Sequence, residues 1–147
     1  MIQVWYHLIV ERKDPMKLIT RNTDYSIRAL CFIAQSKEKI VSVSNLVKEL
    51  RIPRPFLRKI LQILNKKGIL KSHKGLGGGF QLSTSANNIF LIDLIKTFQG
   101  PLSLNECFFK KKICPNRSIC ALKKKIDTIE TDVLSRLESI TIANLLK

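Results

Sequence analysis

The chain has 147 residues, of which 45% are hydrophobic and 25% are charged. This composition is typical of one ordinary globular domain and excludes an intrinsically disordered chain. The 26 Lys and Arg residues outnumber the 11 Asp and Glu residues, which gives a formal net charge of +15. Such a surplus indicates a polyanionic partner, with nucleic acid ahead of an anionic membrane surface.

The chain lacks the sequence features of membrane or secreted proteins. No apolar run is long enough for a transmembrane helix, and residues 1–10 have neither the basic lead-in nor the cleavage site of a secretory signal. We therefore expect a cytoplasmic protein whose four cysteines are reduced thiols, available as metal ligands or redox groups. Residues 1–15 have no assigned role, and a true start at Met16 would fit the more regular pattern that follows.

A helical pattern begins near Thr23, which we expect to be the N-cap, and Asp24 suits the first turn. The apolar residues that share one face of this helix are Ile27, Leu30, Cys31 and Ala34. Because it lies on this face, Cys31 is interpreted as part of the core and not as a ligand.

Two short helices follow, separated by a break at Ile52-Pro53. Ser42 or Ser44 caps the first, whose inward residues are Leu46, Val47 and Leu50. The second begins near Arg54-Pro55 and ends before Gly68, which suits a left-handed position. Its apolar stripe is predicted to consist of Phe56, Leu57, Ile60, Leu61 and Leu64. Two such helices joined by a tight turn form a helix-turn-helix.

The outward side of the second helix is basic, and residues 51–74 contain eight basic residues and no acidic one. A run of charge usually marks a solvated face, but like charges this dense repel each other unless an anion relieves them. A helix with this edge fits the DNA major groove, where Arg pairs with guanine and other side chains grip phosphate. The predicted DNA-binding residues here are Arg54, Pro55, Arg58, Lys59 and Gln62, with Lys66 along the same edge.

Residues 69–73 and 80–82 are predicted strands, and the glycine-rich turn between them makes this hairpin a wing. Its glycines fit neither the GxxxxGK[ST] phosphate loop nor the G-x-G-x-x-G dinucleotide turn. Since glycine has no side chain to obstruct a close approach, the turn can press into the minor groove. The wing residues predicted to contact DNA are Lys71, Lys74, Gly75, Leu76, Gly77 and Gly78.

A further amphipathic helix is predicted over residues 89–98, followed by a cysteine-containing loop over residues 101–120. A long helix resumes at Ala121. Its apolar residues recur at helical spacing and form a seam, either for a partner helix or for packing on its own domain. The seam residues are Leu122, Ile126, Ile129, Val133, Leu137 and Ile140. We expect this helix to form a homodimer, which suits DNA sites with two-fold symmetry.

Three cysteines in the loop are too widely spaced for the C-x-x-C knuckles of most structural zinc sites. They suit a loop wrapped around something larger than one ion, and cysteine thiolates are the usual ligands of iron–sulfur clusters. Zinc and a plain thiol switch remain alternatives. Three cysteines would leave one position of a four-site cluster open to another ligand. The cysteines are Cys107, Cys114 and Cys120.

Residues 16–34 (MKLITRNTDYSIRALCFIA), the wing KSHKGLGGGFQLS and three cysteines before a long helix resemble the IscR/NsrR-type family. These are bacterial winged-helix iron–sulfur transcription regulators, and the resemblance spans about residues 16–147. It implies a homodimer that binds double-stranded operator DNA, and we expect the protein to act as a repressor. It also implies one iron–sulfur cluster per subunit, 4Fe–4S in preference to 2Fe–2S, that senses nitric oxide, redox state or iron and cluster supply.

The resemblance also assigns individual residues. In the IscR-like branch a histidine follows the last cluster cysteine by three residues, where this chain has Lys123, which cannot bind iron as a cation. In the NsrR-like branch an aspartate from the other subunit reaches the cluster, and Asp24 matches it; the alternative is a helix-terminus acid. Arg58 replaces a glutamate of the IscR-like recognition helix, so operator preference need not follow that branch. The positions that match the cluster cysteines are Cys107, Cys114 and Cys120.

The sequence therefore predicts a mainly α fold with a small β-wing, in the α+β class. We expect an extension over residues 1–15, a winged helix-turn-helix domain over 16–100, a cluster-binding loop over 101–120, and a dimerisation helix with C-terminal segment over 121–147. The predicted function is regulation of transcription, not catalysis, because His7 and His73 have no nucleophile or carboxylate set at motif spacing. Two alternatives stay open: a cluster-free regulator acting through thiols or a protein partner, and a small basic redox or cluster-carrier protein.

Overall fold

The computed structural model describes residues 17–104 and 119–146. Five α-helices and a two-stranded antiparallel sheet form this part of the chain, so the predicted α+β class is confirmed. The helices are α1 (Arg21–Gln35), α2 (Val43–Leu50), α3 (Arg54–Lys66), α4 (Leu91–Gln99) and α5 (Ala121–Glu138). The strands are β1 (Leu70–His73) and β2 (Gly79–Leu82), and short 3-10 helices cover Ala86–Asn88 and Ala143–Leu145.

Helix α1 begins earlier than its sequence predicts. The N-cap is Thr20, so the prediction of Thr23 is wrong; Thr23 is fully buried inside the first turn. The cause lies at the end of α4, where Gln99 Oε1 accepts hydrogen bonds from the Thr20 N–H (2.9 Å) and from Thr23 Oγ1 (2.8 Å). Because a residue remote in sequence satisfies these donors, the helix does not depend on Thr23 as its cap.

The helix-turn-helix has the predicted start and end signals. Ser42 caps α2, and its Oγ accepts a hydrogen bond from the Asn45 N–H at 3.1 Å. Arg51 turns the chain at the end of α2 with a φ of 53°, and Pro55 lies in the first turn of α3. Gly68 follows α3 with a φ of 74°, as predicted, because a left-handed residue there lets the final carbonyls find partners.

One face of α3 is buried and forms the centre of the core. The residues of this face are Leu57, Ile60, Leu61 and Leu64. The inward prediction for Phe56 is wrong, since this side chain is 55% exposed. A residue one position from Leu57 is rotated by about 100° around the helix axis. Phe56 therefore lies at the flank of α3, beside Ile63 and Phe98 at a cavity of about 250 Å³.

The wing is an antiparallel hairpin attached to the segment before α2. In its register Leu70 lies opposite Leu82, and His73 lies opposite Gly79. Val41 extends the pairing, because its N–H and C=O bond to the C=O and N–H of Phe80 at 2.8 and 2.9 Å. A Cβ on Gly79 would lie 2.2 Å from the Val41 carbonyl oxygen, so this approach requires glycine.

The C-terminal segment returns to the start of α4 and completes the core. The Ile142 N–H bonds to the Ile89 carbonyl at 2.9 Å, and the Leu91 N–H bonds to the Ile140 carbonyl at 2.9 Å. Ile142 is fully buried in the same cluster as the helix-turn-helix leucines. A second cluster joins α4 to Leu137 of α5. The end of α5 is therefore fixed to the winged-helix core.

Across residues 17–104 and 119–146, no helix combines the length and the apolar character that crossing a membrane requires.

Candidate nucleic-acid interface and metal ligands

All the predicted DNA-binding side chains of α3 are exposed and lie outside its buried face. They are Arg54, Pro55, Arg58, Lys59, Gln62 and Lys66. None of these cations forms an ion pair with another described residue. The charge of this face is therefore available to an external anion, and it is carried by a helix whose other side is anchored in the core.

The guanidinium of Arg54 is held by the preceding helix. Its Nη2 donates a hydrogen bond to Ser44 Oγ at 2.7 Å, across a separation of ten residues. Both side chains are exposed, and the remaining N–H donors of Arg54 stay available to a base or a phosphate. From the sequence, Ser44 is only an alternative cap for α2. Its contact with Arg54 depends on how α2 and α3 pack, which spacing along the chain does not reveal.

The wing carries two exposed cations along its first arm and an apolar residue at its tip. The Gly78 N–H donates to the Gly75 carbonyl at 3.0 Å and closes the turn, in which Gly75 and Gly77 have φ values of 91° and 75°. Leu76 lies between these glycines and is fully exposed. The two cations are Lys71 and Lys74.

Two of the four predicted metal ligands lie in the described part of the chain, and Cys107 and Cys114 lie outside it. Cys120 is the N-cap of α5, and its Sγ accepts a hydrogen bond from the Lys123 N–H at 3.4 Å. The N-terminus of a helix favours negative charge, so this position fits an anionic sulfur ligand. Within residues 17–104 and 119–146, no three His, Cys, Asp or Glu residues gather as a complete metal site.

Asp24 lies in the first turn of α1 and remains accessible from outside the subunit. Its Oδ2 pairs with Arg28 Nε at 2.8 Å, and the two side chains are 42% and 60% exposed, respectively. This geometry agrees both with a helix-terminus acid and with a carboxylate that meets a partner subunit. The neighbouring hydrogen bonds from Thr20 and Thr23 to Gln99 hold the turn that carries Asp24.

The described residues on the two sides of residues 105–118 both contact α5. The Leu104 N–H, just before residues 105–118, donates to Glu130 Oε2 at 2.8 Å. Cys120, just after them, caps the same helix. Lys123, at the position of the IscR-like histidine, is ion-paired with Asp127 one turn further along α5. Sequence reasoning did not single out Glu130, because acids on an exposed helix are common and carry no signal of their own.

Cys31 lies against the core as predicted. It is half-buried, and burial raises the pKa of its thiol above the ordinary value because an apolar environment disfavours the thiolate. A neutral thiol is a poor metal ligand and a poor nucleophile. The structure therefore supports the interpretation of Cys31 as a packing residue.

The apolar seam of α5 is divided between two environments. Leu137 is buried against α4, together with the half-buried Val133 and Ile140. Toward the N-terminus of the helix, Leu122 and Ile129 are 68% and 51% exposed. The end of the seam thus packs on its own domain, whereas its beginning presents large apolar side chains to solvent.

The sequence profile of the family Rrf2, described as an iron-dependent transcriptional regulator, matches residues 19–147. The chain belongs to the Rrf2 family. It is 32% identical over 130 residues to the HTH-type transcriptional regulator NsrR of Halalkalibacterium halodurans, a match that covers 87% of this chain and 89% of that protein. It is also 29% identical over 130 residues to the protein aau3 of Rhizobium meliloti, covering 88% and 84%.

The fold of this Rrf2-family regulator is similar to that of two solved structures. One is IscR from T. potens, with a TM-score of 0.68 and 22% identity over 88% of this chain and 86% of that chain. The other is CymR, the global cysteine regulator of B. subtilis, with a TM-score of 0.67 and 20% identity over 88% and 96%. These likenesses confirm the winged-helix fold. The resemblance found in the sequence is thus confirmed for family and fold.

Proposed function

We propose that this Rrf2-family regulator binds double-stranded operator DNA as a homodimer and acts as a repressor. In this proposal α3 lies in the major groove and the wing lies in the flanking minor groove. The observation that carries the proposal is the exposed, acid-free face of α3, backed by a fully buried apolar face. Arg58, Gln62 and Lys66 recur at every fourth position, so they lie along one edge of the helix.

The side chains of the interface have different tasks. Arg58 can form a bidentate contact with guanine. Arg54 would make a second contact, and its hydrogen bond to Ser44 restrains the guanidinium. The ammonium groups of Lys59, Lys71 and Lys74 suit phosphate, which fixes orientation and supplies affinity independent of sequence.

The exposed half of α5 supports a second copy of this chain as its partner. Leu122 and Ile129 would be covered by the same residues of a two-fold related helix, since an isologous interface uses one patch twice. Such a dimer would present two α3 helices to two half-sites of an operator.

The proposal includes one iron–sulfur cluster per subunit, 4Fe–4S in preference to 2Fe–2S, held by cysteine sulfurs and by Asp24 of the other subunit. The cysteines are Cys107, Cys114 and Cys120. When bound, such a cluster supplies a centre that reacts with nitric oxide, oxidants or changes in iron supply. Cys120 links this centre to the dimer helix, because the sulfur that would ligate iron is also the acceptor at the start of α5.

The chain's own contacts provide a route from that sulfur to the DNA-binding face. Glu130 holds Leu104, Leu137 fixes α5 on α4, and Gln99 of α4 holds the start of α1. A change at the N-terminus of α5 can therefore alter the relative position of the two α3 helices in a dimer. A coupling of about 1–3 kcal/mol would change operator affinity about 5- to 150-fold.

The test is the salt dependence of DNA binding by the full-length chain, with duplexes enriched from a random-sequence library as probe. With about 6–10 phosphate contacts, a rise from about 50 to 200 mM salt should weaken binding by about 10³–10⁵. Arg58→Ala should weaken binding, whereas Lys39→Ala, outside the predicted face, should not. A flat salt response would exclude this mode of binding, and footprinting without a protected site would favour the redox or cluster-carrier alternative.

A further inference from the structure

The tip of the wing presents a leucine where nothing in the described part of the fold requires one. Leu76 has a relative exposure of 110%, the highest among the exposed large hydrophobic residues of the described chain. It packs against neither core cluster. An isolated apolar side chain on a surface is ordinary, but this one lies at the tip of a hydrogen-bonded hairpin that carries two exposed lysines.

The hairpin defines the backbone position from which this side chain projects. The Gly75 carbonyl and the Gly78 N–H close the turn at 3.0 Å, and the wing is tied to Val41 at its base. A Cβ at Gly78 would lie 2.4 Å from the His73 carbonyl oxygen, which shows how tightly the turn is folded. Leu76 therefore projects from a preorganised loop whose neighbouring glycines have no side chains that compete for space.

We infer that Leu76 is an apolar wing-tip contact to the floor of the DNA minor groove and that it selects A·T pairs there. This inference rests on the DNA binding proposed above and adds a specificity-determining residue to it. Minor-groove proteins insert apolar side chains into this groove beside cationic residues that hold the backbone. Here the exposed Lys71 and Lys74 both precede Leu76, on the β1 side of the hairpin.

The preference for A·T follows from the chemistry of the groove floor. A G·C pair adds the exocyclic amino group of guanine, a hydrogen-bond donor that A·T pairs lack. A leucine side chain offers that donor no acceptor and excludes the water that would satisfy it. An asparagine at the tip would impose no such penalty, because its side-chain carbonyl can accept a hydrogen bond from that amino group.

The first measurement separates the apolar contact from electrostatics. For the full-length chain on its enriched duplex, Leu76→Ala should weaken binding about tenfold or more and leave the slope of log affinity against log salt unchanged. Leu76→Met should retain most of the affinity, since it keeps an apolar side chain of similar size. The matched control Lys74→Ala should lower the slope by about 0.9 for each phosphate contact that is lost.

The second measurement tests the selection of base pairs at the step that the wing protects in a minor-groove footprint. Replacing A·T by G·C there should weaken DNA binding by the wild-type chain about fivefold or more. An inosine·cytosine pair should restore the affinity, because inosine lacks the amino group. The DNA affinity of Leu76→Ala should be the same for the A·T and the G·C duplex. Because Leu76 is exposed and outside the core, an unchanged unfolding temperature will show that the variant is folded.

The outcomes distinguish this inference from the proposed function. If the wild-type chain binds no duplex in a salt-dependent way, both fail. If it binds, and Leu76→Ala matches it in affinity or retains its full G·C penalty, the inference alone is overturned. A reduced salt slope in Leu76→Ala would also overturn it, because that result assigns the loss to phosphate contacts.

Discussion

At Gly79 the wing passes so close to Val41 that a single added methyl group would collide with backbone. The Cβ of an alanine would lie 2.2 Å from the Val41 carbonyl oxygen and 2.9 Å from the Ser42 nitrogen. Neither atom is the end of a flexible side chain, so the backbone itself would have to move. The sequence marks the glycine-rich turn, but only the packing of the wing shows which glycine is needed for a close approach.

Gly79→Ala should therefore destabilise the protein by about 1–3 kcal/mol, because it overpacks this crossing. Denaturant unfolding, followed by circular dichroism, measures the change. Ser72→Ala, at an exposed position of β1, is the matched control and should stay within about 0.5 kcal/mol of wild type. Equal midpoints for Gly79→Ala and wild type would contradict the role assigned to this contact.

Asp24 is the residue on which the proposed fourth ligand depends. Asp24→Ala should change the absorption spectrum of anaerobically reconstituted protein and shorten the lifetime of its cluster in air. The lost ion pair with Arg28 is exposed and should cost at most about 1 kcal/mol of stability. Asp93→Ala, which removes an exposed acid from the first turn of α4, should leave spectrum and lifetime unchanged. If Asp24→Ala also left the spectrum and the lifetime unchanged, Asp24 would be a helix-terminus acid and not a cluster ligand.

Among the elements, α3 shows how far periodicity predicts burial. Leu57, Ile60, Leu61 and Leu64 were placed correctly because they repeat at helical spacing. Phe56 is as hydrophobic as any of them, yet it lies at the flank of the helix and is half exposed. Hydrophobicity alone does not predict whether a residue at the edge of an apolar helix stripe is buried. The neighbours that pack against the helix decide whether such a residue is covered.

The apolar seam of helix α5 is buried at one end and exposed at the other, and the exposed part predicts a dimer. Leu122→Asp and Ile129→Asp should each raise the dimer dissociation constant about 30-fold or more, because a carboxylate would be buried against apolar side chains. Sedimentation equilibrium measures this. Ser135→Asp, at an exposed position away from the seam, is the control.

The buried end of α5 provides a contrast with these variants. Leu137→Ala should lower the free energy of unfolding by about 2–5 kcal/mol, because it leaves a cavity between α5 and α4.

For the dimer prediction, an unchanged dissociation constant in both aspartate variants would show that a second copy does not cover Leu122 and Ile129.

For the whole molecule, α4 is the common support of the remaining parts. Its first residues bond to the C-terminal segment, its apolar face packs on α5, and its last residue holds the start of α1. Because one short helix makes all of these contacts, we expect a displacement of α5 to be passed on to α1. This arrangement gives the proposed regulation a physical path from the cysteine segment to the DNA-binding face.

Removal of the cluster should therefore change operator affinity about 5- to 150-fold without unfolding the protein. Anaerobically purified protein, before and after chelation or exposure to nitric oxide, is compared on the same duplex, with iron and sulfide analysis as the record of cluster content. Identical affinity with and without the metal would overturn cluster control. A colourless, iron-free protein that still binds its operator would favour the cluster-free regulator acting through thiols or a protein partner.

The sequence by itself determined the order and type of the elements. Local rules act over a few residues, so Ser42, Pro53 and Gly68 marked helix boundaries, and periodicity identified the core face of α3. The concentration of positive charge in residues 51–74 indicated the nucleic-acid face, because charge density can be read directly from the sequence. The cysteine pattern and the wing together carried the family resemblance.

Only the tertiary structure decided the contacts between residues that are far apart in the chain. Gln99 accepts a hydrogen bond from Thr20, the N-cap of α1. Ser44 accepts one from Arg54, and Glu130 accepts one from the Leu104 N–H. Each of these contacts depends on how two elements pack, and polar residues on exposed helices leave no periodic signal of their partners. The division of the α5 seam has the same origin, since identical apolar spacing is buried against α4 at one end of the helix and exposed to solvent at the other.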